Sequence, residues 1–177
     1  MTNSHWLRAV LLSALAFAFC CGQSGLMRIA QAQASAAAYG PIAETDSIRT
    51  FMQTVARDVT HDGPTAWLKY FDDSPAFFMA VNGAMVFPNP AVARDGTQKF
   101  AETIQHIELK WGDDLRVDPL TAEIAVVGAT WHEVQIDKAG HRVEESGYFT
   151  GVVERKQSQW KFRDAHWSSP MPATPAK

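Results

Sequence analysis

Two polar side chains near the carboxyl end of the chain, Asp164 and His166, have the spacing of an acid–base pair. They lie in a segment that alternates like a β-strand, so residues two apart point to the same face. That face would also carry Trp160, Phe162 and Ser168, a mixture of aromatic and polar groups that suits a pocket lining. The pattern predicts His166 as a general base and Asp164 as the carboxylate that orients it. In the alternative interpretation, His166 is a hydrogen-bonded structural histidine at the end of the sheet.

A second cluster of polar and aromatic residues is Trp131-His132-Glu133. Neighbouring side chains of a strand point to opposite faces, so His132 and Glu133 cannot act together on one substrate. Glu133 would share its face with Ala129 and Trp131. We expect one of the two polar residues to lie on the surface, and the pattern does not favour a catalytic role for either.

Aromatic residues make up 11% of the chain, and most of them must be in the core. A subset that lines an apolar cavity would favour a flat or hydrophobic ligand, whereas exposed rings on the outer sheet would mark a dimer interface. Tyr70 and Tyr148 are candidate hydroxyl donors, although Tyr70 could equally be a core residue with its hydroxyl at the rim. The predicted ligand-binding residues are Trp67, Tyr70, Phe78, Trp111, Trp131, Tyr148, Phe162 and Ser168.

Other kinds of site find no support in the sequence. The histidines at positions 61, 106, 132, 141 and 166 are scattered and lack the spacing of metal ligands. The sequence contains neither a glycine-rich phosphate loop nor a G-x-S-x-G nucleophile motif. We therefore expect no metal and no bound cofactor.

The amino terminus has the features of an export signal. Residues 9–19 form an unbroken apolar run, which is shorter than the roughly 20 residues that a membrane span needs and typical of a signal peptide. Two A-x-A patterns follow, and we predict cleavage after Ala34, with Ala32 as the alternative. The mature protein would then be periplasmic or secreted. Lipidation at Cys20 or Cys21 would attach it to a membrane, and a buried amino-terminal helix is a further alternative.

Removal of residues 1–34 also restricts the chemistry. Both cysteines lie in that segment, so the mature chain has no thiol. Loss of Arg8 and Arg28 leaves 14 basic and 19 acidic residues, a balance that argues against a nucleic-acid partner. Outside the cytosol ATP and NAD(P)H are scarce, and this agrees with a cofactor-free pocket.

The remaining chain predicts helices followed by strands. Residues 35–44 are interpreted as a linker, 45–170 as one domain and 171–177 as a tail. The first helix is predicted from an apolar stripe at helical spacing, which comprises Ile48, Phe51, Met52, Val55, Ala56 and Val59. A second helix is expected after Pro64, and Asn82-Gly83 predicts a hairpin turn.

The second half of the domain is predicted to be mainly sheet. A third helix is expected over about 96–106, with Asp95 and Gln98 as a capping box. Strands are expected over 107–117, 123–136, 142–155 and 160–168, with a bulge at Gly112 in the first of them. Helices followed by an antiparallel meander indicate an α+β fold in which helices pack on one face of a curved sheet.

The paired segments 147–155 and 160–168, with a His-x-Ser ending after a strand that begins with Trp, resemble the carboxy-terminal hairpin of the nuclear transport factor 2-like superfamily. Within it, the chain is most similar to SnoaL-like proteins and to the association domain of calcium/calmodulin-dependent kinase II. The resemblance covers about 48–169. It implies a cone-shaped α+β barrel, with a strongly bent antiparallel sheet wrapped around the amino-terminal helices and enclosing a pocket, and homodimers formed through the sheet face.

Relatives in this superfamily include isomerases, dehydratases, cyclases and epoxide hydrolases, together with modules that catalyse nothing, so the fold does not fix the function. Three hypotheses follow. The first is an exported domain that binds a small, mostly apolar molecule. The second is a cofactor-independent acid–base enzyme, isomerase, dehydratase or hydrolase-like, that uses His166 and Asp164. The third is a noncatalytic dimeric assembly module.

Overall fold

The computed structural model describes residues 41–170. The predicted signal peptide and the tail at 171–177 lie outside these residues. The first helix, α1, spans Pro41–Asp62, so the predicted linker is wrong from residue 41 onward. Its first turns are held by contacts that the apolar stripe does not reveal. Glu44 is buried and forms an ion pair with Arg155, and the Ser47 hydroxyl donates to the Glu44 carbonyl at 2.9 Å.

The predicted apolar stripe of α1 is confirmed as its buried face. Ile48, Met52, Val55 and Val59 are each fully buried in the core. The helix ends before Gly63, whose φ of 81° is a conformation that favours glycine. A 3₁₀ helix at Pro64–Lys69 then takes the place of the predicted second helix.

The Asn82-Gly83 hairpin is confirmed. Strands β1 (Phe78–Val81) and β2 (Ala84–Phe87) pair antiparallel across it. Both turn residues have positive φ, 49° and 84°, as the type I′ hairpin turn requires.

Helix α2 spans Pro90–Thr103, so the predicted start near residue 96 is wrong. Asn89 caps the helix, because its side-chain oxygen accepts a hydrogen bond from the Val92 backbone N–H at 3.1 Å. Pro90 occupies the first turn, where a missing N–H carries no penalty. Asp95, the predicted cap, lies inside the helix. The helix also ends before the predicted boundary, since residues 104–106 belong to the next strand.

The remaining strands complete one curved, unclosed seven-stranded sheet. Its order is β2-β1-β7-β6-β5-β3, with β4 pairing β5 beside β3. β1 runs parallel to β7, so the sheet is mixed, whereas the sequence predicted antiparallel strands throughout. α1 packs against β3 and β4, and the predicted α+β class is confirmed. The strands are β3 (Ile104–Trp111), β4 (Arg116–Pro119), β5 (Ile124–Asp137), β6 (Arg142–Lys156) and β7 (Gln159–Ser168).

A β-bulge interrupts the pairing of β7 with β6. Phe162 pairs with Val153, and Asp164 pairs with the adjacent residue Val152, which leaves Arg163 as an extra residue. An extra residue reverses the alternation of the strand beyond it.

The bulge explains why the predicted face of β7 is wrong. Phe162 is fully buried and Ala165 is 2% exposed, three residues apart instead of two or four. Trp167 therefore packs against the core, and His166 is exposed. Asp164 and His166 do not share a face with Phe162.

Two adjacent substitutions test this register. Trp167→Ala is expected to lower the free energy of unfolding by about 3 kcal/mol, because a large ring packed on other aromatic rings is removed. His166→Ala should change it by less than about 0.5 kcal/mol, as is usual for an exposed side chain. Urea unfolding measures both, and a larger loss for the histidine variant would contradict the bulge.

Candidate ligand-binding cavity

A cavity of about 360 Å³ lies between the sheet, the 3₁₀ helix, α2 and the β1–β2 hairpin. We call it the inner cavity. Six of its lining side chains are aromatic, two are carboxylates, and the others are aliphatic or neutral polar. The lining residues are Trp67, Phe71, Met79, Val81, Asn82, Phe87, Thr97, Phe100, Trp131, Glu133, Gln135, Glu145, Trp167 and Ser169.

The aromatic part of the wall is assembled from distant segments through ring contacts. Trp167 meets Trp67 edge to face, with centroids 5.5 Å apart and planes at 90°. It meets Trp131 at 5.2 Å and 79°. Trp67 in turn stacks on Phe71 at 5.8 Å. Such pairs stabilise the fold beyond their buried area, so the rings hold one another in place.

Glu133 reaches this wall from β5. The prediction that His132 and Glu133 point in opposite directions is confirmed. Glu133 lines the inner cavity, whereas His132 lies outside its lining, with its Nε2 atom 2.7 Å from a Glu144 carboxylate oxygen. Burial raises the pKa of Glu133, and the charge of Glu145 raises it further. The Gln135 amide donates to the Glu133 carboxylate at 2.5 Å and opposes the rise.

The two carboxylates are neighbours across the sheet. Glu133 of β5 is directly opposite Glu145 of β6, and side chains in such positions have Cβ atoms about 5 Å apart. Glu145 is exposed, so it lies at the rim of the inner cavity. Among the described residues that line this cavity, none is Lys, Arg or His. The pair therefore favours retention of a proton on Glu133.

The wall contains a second polar group, the indole N–H of Trp131, and unlike Glu133 it has no hydrogen-bond partner among the described residues. Trp131 is 6% exposed, and its indole N–H is buried without a hydrogen bond within the described part of the chain. By contrast, the Trp111 indole donates to the Met52 carbonyl at 2.8 Å and the Trp160 indole to the Ser47 hydroxyl at 3.0 Å. An unmade hydrogen bond of a buried donor is unfavourable by about 1–3 kcal/mol.

Five of the eight predicted ligand-binding residues line one of two sites. Trp67 and Trp131 line the inner cavity. Trp111, Tyr148 and Ser168 instead line a more open groove of about 670 Å³, which we call the outer groove. Trp131 and Ser169 border both sites.

Three of the predicted lining residues are elsewhere. Phe162 is fully buried in the core, and Phe78 is 41% exposed because its side chain points away from the cavity that Met79 lines. The Tyr70 hydroxyl donates to Asp58 at 2.5 Å. Burial and this bond raise the pKa of Tyr70, and the bond lowers the pKa of Asp58. Tyr70 therefore matches the alternative of a core residue with its hydroxyl at the rim.

The predicted catalytic pair lies outside the inner cavity. The Asp164 carboxylate accepts a hydrogen bond from the Val152 backbone N–H at 3.1 Å, while burial raises its pKa. His166 is exposed and lies opposite Thr150 in the sheet. A catalytic role for the two residues stays a prediction. The acidic groups that line the inner cavity are instead Glu133 and Glu145, and the alternation with Trp131 could have indicated Glu133.

Comparison with known proteins places the fold. No family profile matches the sequence, and no curated protein matches it. A nuclear transport factor 2-like superfamily protein from Salmonella enterica serovar Typhimurium superposes with a TM-score of 0.64 at 14% identity, covering 76% of this chain and 96% of its own. The chain therefore has the nuclear transport factor 2-like fold, and the predicted resemblance is confirmed at that level.

Two further solved structures share this fold. A candidate scytalone dehydratase from Novosphingobium aromaticivorans has a TM-score of 0.64 and 11% identity, covering 73% of this chain and 86% of its own. The hexachlorocyclohexane dehydrochlorinase LinA-type3 from Novosphingobium barchaimii has a TM-score of 0.55 and 14% identity, covering 71% and 85%. At such identities the likeness concerns the fold alone.

Two kinds of feature are absent from residues 41–170. Within this range no group of three or more His, Cys, Asp or Glu side chains could hold a metal ion. No helix of the same range is long and apolar enough to cross a membrane.

Glu133→Gln tests the burial of this carboxyl through the pH dependence of stability. Because the pKa of Glu133 is higher in the folded than in the unfolded protein, the folded state binds more protons between the two values. The contribution of Glu133 to wild-type stability therefore falls as pH rises from about 4 through this window. The variant lacks this loss, so it should gain stability relative to wild type between about pH 4 and pH 7.

Urea unfolding across this pH range measures the effect. Glu102→Gln, which alters an exposed glutamate of α2, is the matched control for removal of a charge. If the difference between the Glu133 variant and wild type does not change with pH, the carboxyl is not desolvated.

Proposed function

We propose that this protein binds a small, mostly apolar molecule in the inner cavity. The observation that carries the proposal is an aromatic cavity that contains a half-buried carboxyl, Glu133, with a raised pKa. Its volume of about 360 Å³ is within the range of small-molecule sites. A flat ring would contact Trp67, Trp131 and Trp167, and a polar substituent would reach Glu133.

The structural neighbours support a small-molecule site. Two of them are named for reactions of scytalone and of hexachlorocyclohexane, so proteins of this fold are associated with small substrates. These compounds are not assigned to the present chain. The predicted signal peptide would place binding in the periplasm or outside the cell, and the intact mass of the exported protein would test its cleavage.

Blocking the cavity tests the proposal. Val81→Phe adds bulk to a residue that lines the inner cavity. The variant should abolish binding of small aromatic ligands, because the added ring occupies their space. Val86→Phe is the matched control, since Val86 is 37% exposed on the adjacent strand and lies outside the lining.

Binding is measured by tryptophan fluorescence and by native mass spectrometry of the protein isolated from the exporting compartment. Three tryptophans in the wall make the fluorescence sensitive to occupancy. Equal binding by both valine variants would place the ligand elsewhere. A stable dimer without any retained or added ligand would favour the noncatalytic assembly module.

A second candidate function is cofactor-independent acid–base catalysis in the same cavity, with Glu133 in the role predicted for His166 and Asp164. The specific observation is the cross-strand carboxylate pair in an apolar wall, since burial and, to a smaller extent, the charge of Glu145 raise the pKa of Glu133. The two carboxyls could then divide the roles of acid and base.

Proton exchange separates the two assignments. The ligand recovered by native mass spectrometry is incubated with the protein in D₂O, and deuterium incorporation at carbon is followed. Glu133→Gln should slow the exchange by about 10²–10⁴-fold, the usual contribution of a general base. His166→Ala should leave it unchanged because that residue lies outside the cavity. The reverse outcome would return the role to His166 and Asp164.

A further inference from the structure

We propose that the inner cavity takes an organic cation, an amine or quaternary ammonium with a flat apolar body. The cationic group would lie between the indole rings and the carboxylates of Glu133 and Glu145. This inference rests on the proposed function, because it names the ligand class of the same cavity.

The charge of the lining favours a cation. Glu133 and Glu145 are adjacent, and the described lining contains no basic side chain to compensate them. An anionic ligand would meet two like charges in a site of low polarity. A neutral apolar ligand would remove water from Glu133 and offer it no partner, which is unfavourable for an ionised carboxylate. An ammonium group compensates both carboxylates at once.

The aromatic walls favour the same ligand. The face of an indole ring attracts a cation, and three indoles from separate parts of the chain line the inner cavity. Trp167 is nearly perpendicular to both Trp67 and Trp131. Rings in different planes that line one cavity can contact a guest from more than one direction. The site therefore favours two features in one small molecule, a cationic group and a flat apolar body.

Binding of such a cation should be coupled to the release of a proton from the protein. The titratable group in the lining that faces Glu133 is Glu145, from β6, and the neutral amide of Gln135 faces it from β5. An ammonium group placed beside Glu133 favours the charged form of its carboxyl. A proton held by Glu133 is then released to solvent when the cation binds.

Tyramine and its alcohol analogue tyrosol form a matched pair of probes. They share the phenol ring and oxygen and differ in an ammonium or hydroxyl group at the end of the chain. We expect tyramine to bind about tenfold more tightly than tyrosol at pH 8 in isothermal titration calorimetry. Glu145→Gln and Glu133→Gln should each reduce this preference several-fold, whereas Glu102→Gln should retain it.

The relative affinities of tyramine and tyrosol decide whether the cavity prefers a cation. Equal affinity, or tighter binding of tyrosol, would overturn the cation assignment and leave the proposed function intact. A preference for tyramine that survives both carboxylate substitutions would also overturn it, because the cation would then be held elsewhere. Failure of both probes to bind would overturn this inference and count against the proposed function as well.

Discussion

The bulge at Arg163 determines which side chains of β7 point toward the inner cavity, and the aromatic wall depends on it. Beyond the extra residue, Trp167 turns toward the core and meets rings from four other segments. Without that change of face, the strand would place His166 against the core and Trp167 in solvent. A single unpaired residue thus places an aromatic side chain, instead of a polar one, in the cavity wall at this end of the sheet.

The chemistry of Glu133 follows from that apolar wall. A carboxyl on the rim of a wet groove would ionise freely, whereas the same group beside indole rings and a second carboxylate retains its proton more strongly. The position is unfavourable for folding whenever the group is charged, and a residue that breaks the local rules for burial is often retained for function. A cation or a transferable proton would relieve the same penalty, which is why both candidate functions converge on Glu133.

Much of the fold could be predicted because its determinants are local. The helical stripe from Ile48 to Val59 and the Asn82-Gly83 turn lie within short windows of sequence. The start of α2 was within reach as well, since Asn89-Pro90 is a capping asparagine followed by a first-turn proline. The site could be predicted only in part, because a bulge is set by how two strands fit together. Strict alternation therefore succeeded for Glu133 on β5 and failed for His166 on β7.

Hydrogen bonds fix the end of β7 on both sides, and this rigidity affects how the inner cavity can bind a ligand. The Ser169 N–H donates to the Asn82 side chain at 2.7 Å, and the Ser168 hydroxyl donates to the Tyr148 carbonyl at 2.9 Å. A Cβ on Gly147 would lie 1.8 Å from the Ser168 carbonyl oxygen, so glycine is needed for this close approach. Because Asn82 and Ser169 both line the cavity, its rim is held by the same contacts that end the sheet. A ligand would therefore enter a site whose wall loses little conformational entropy, and its affinity would be governed by how well it matches the rings and carboxylates.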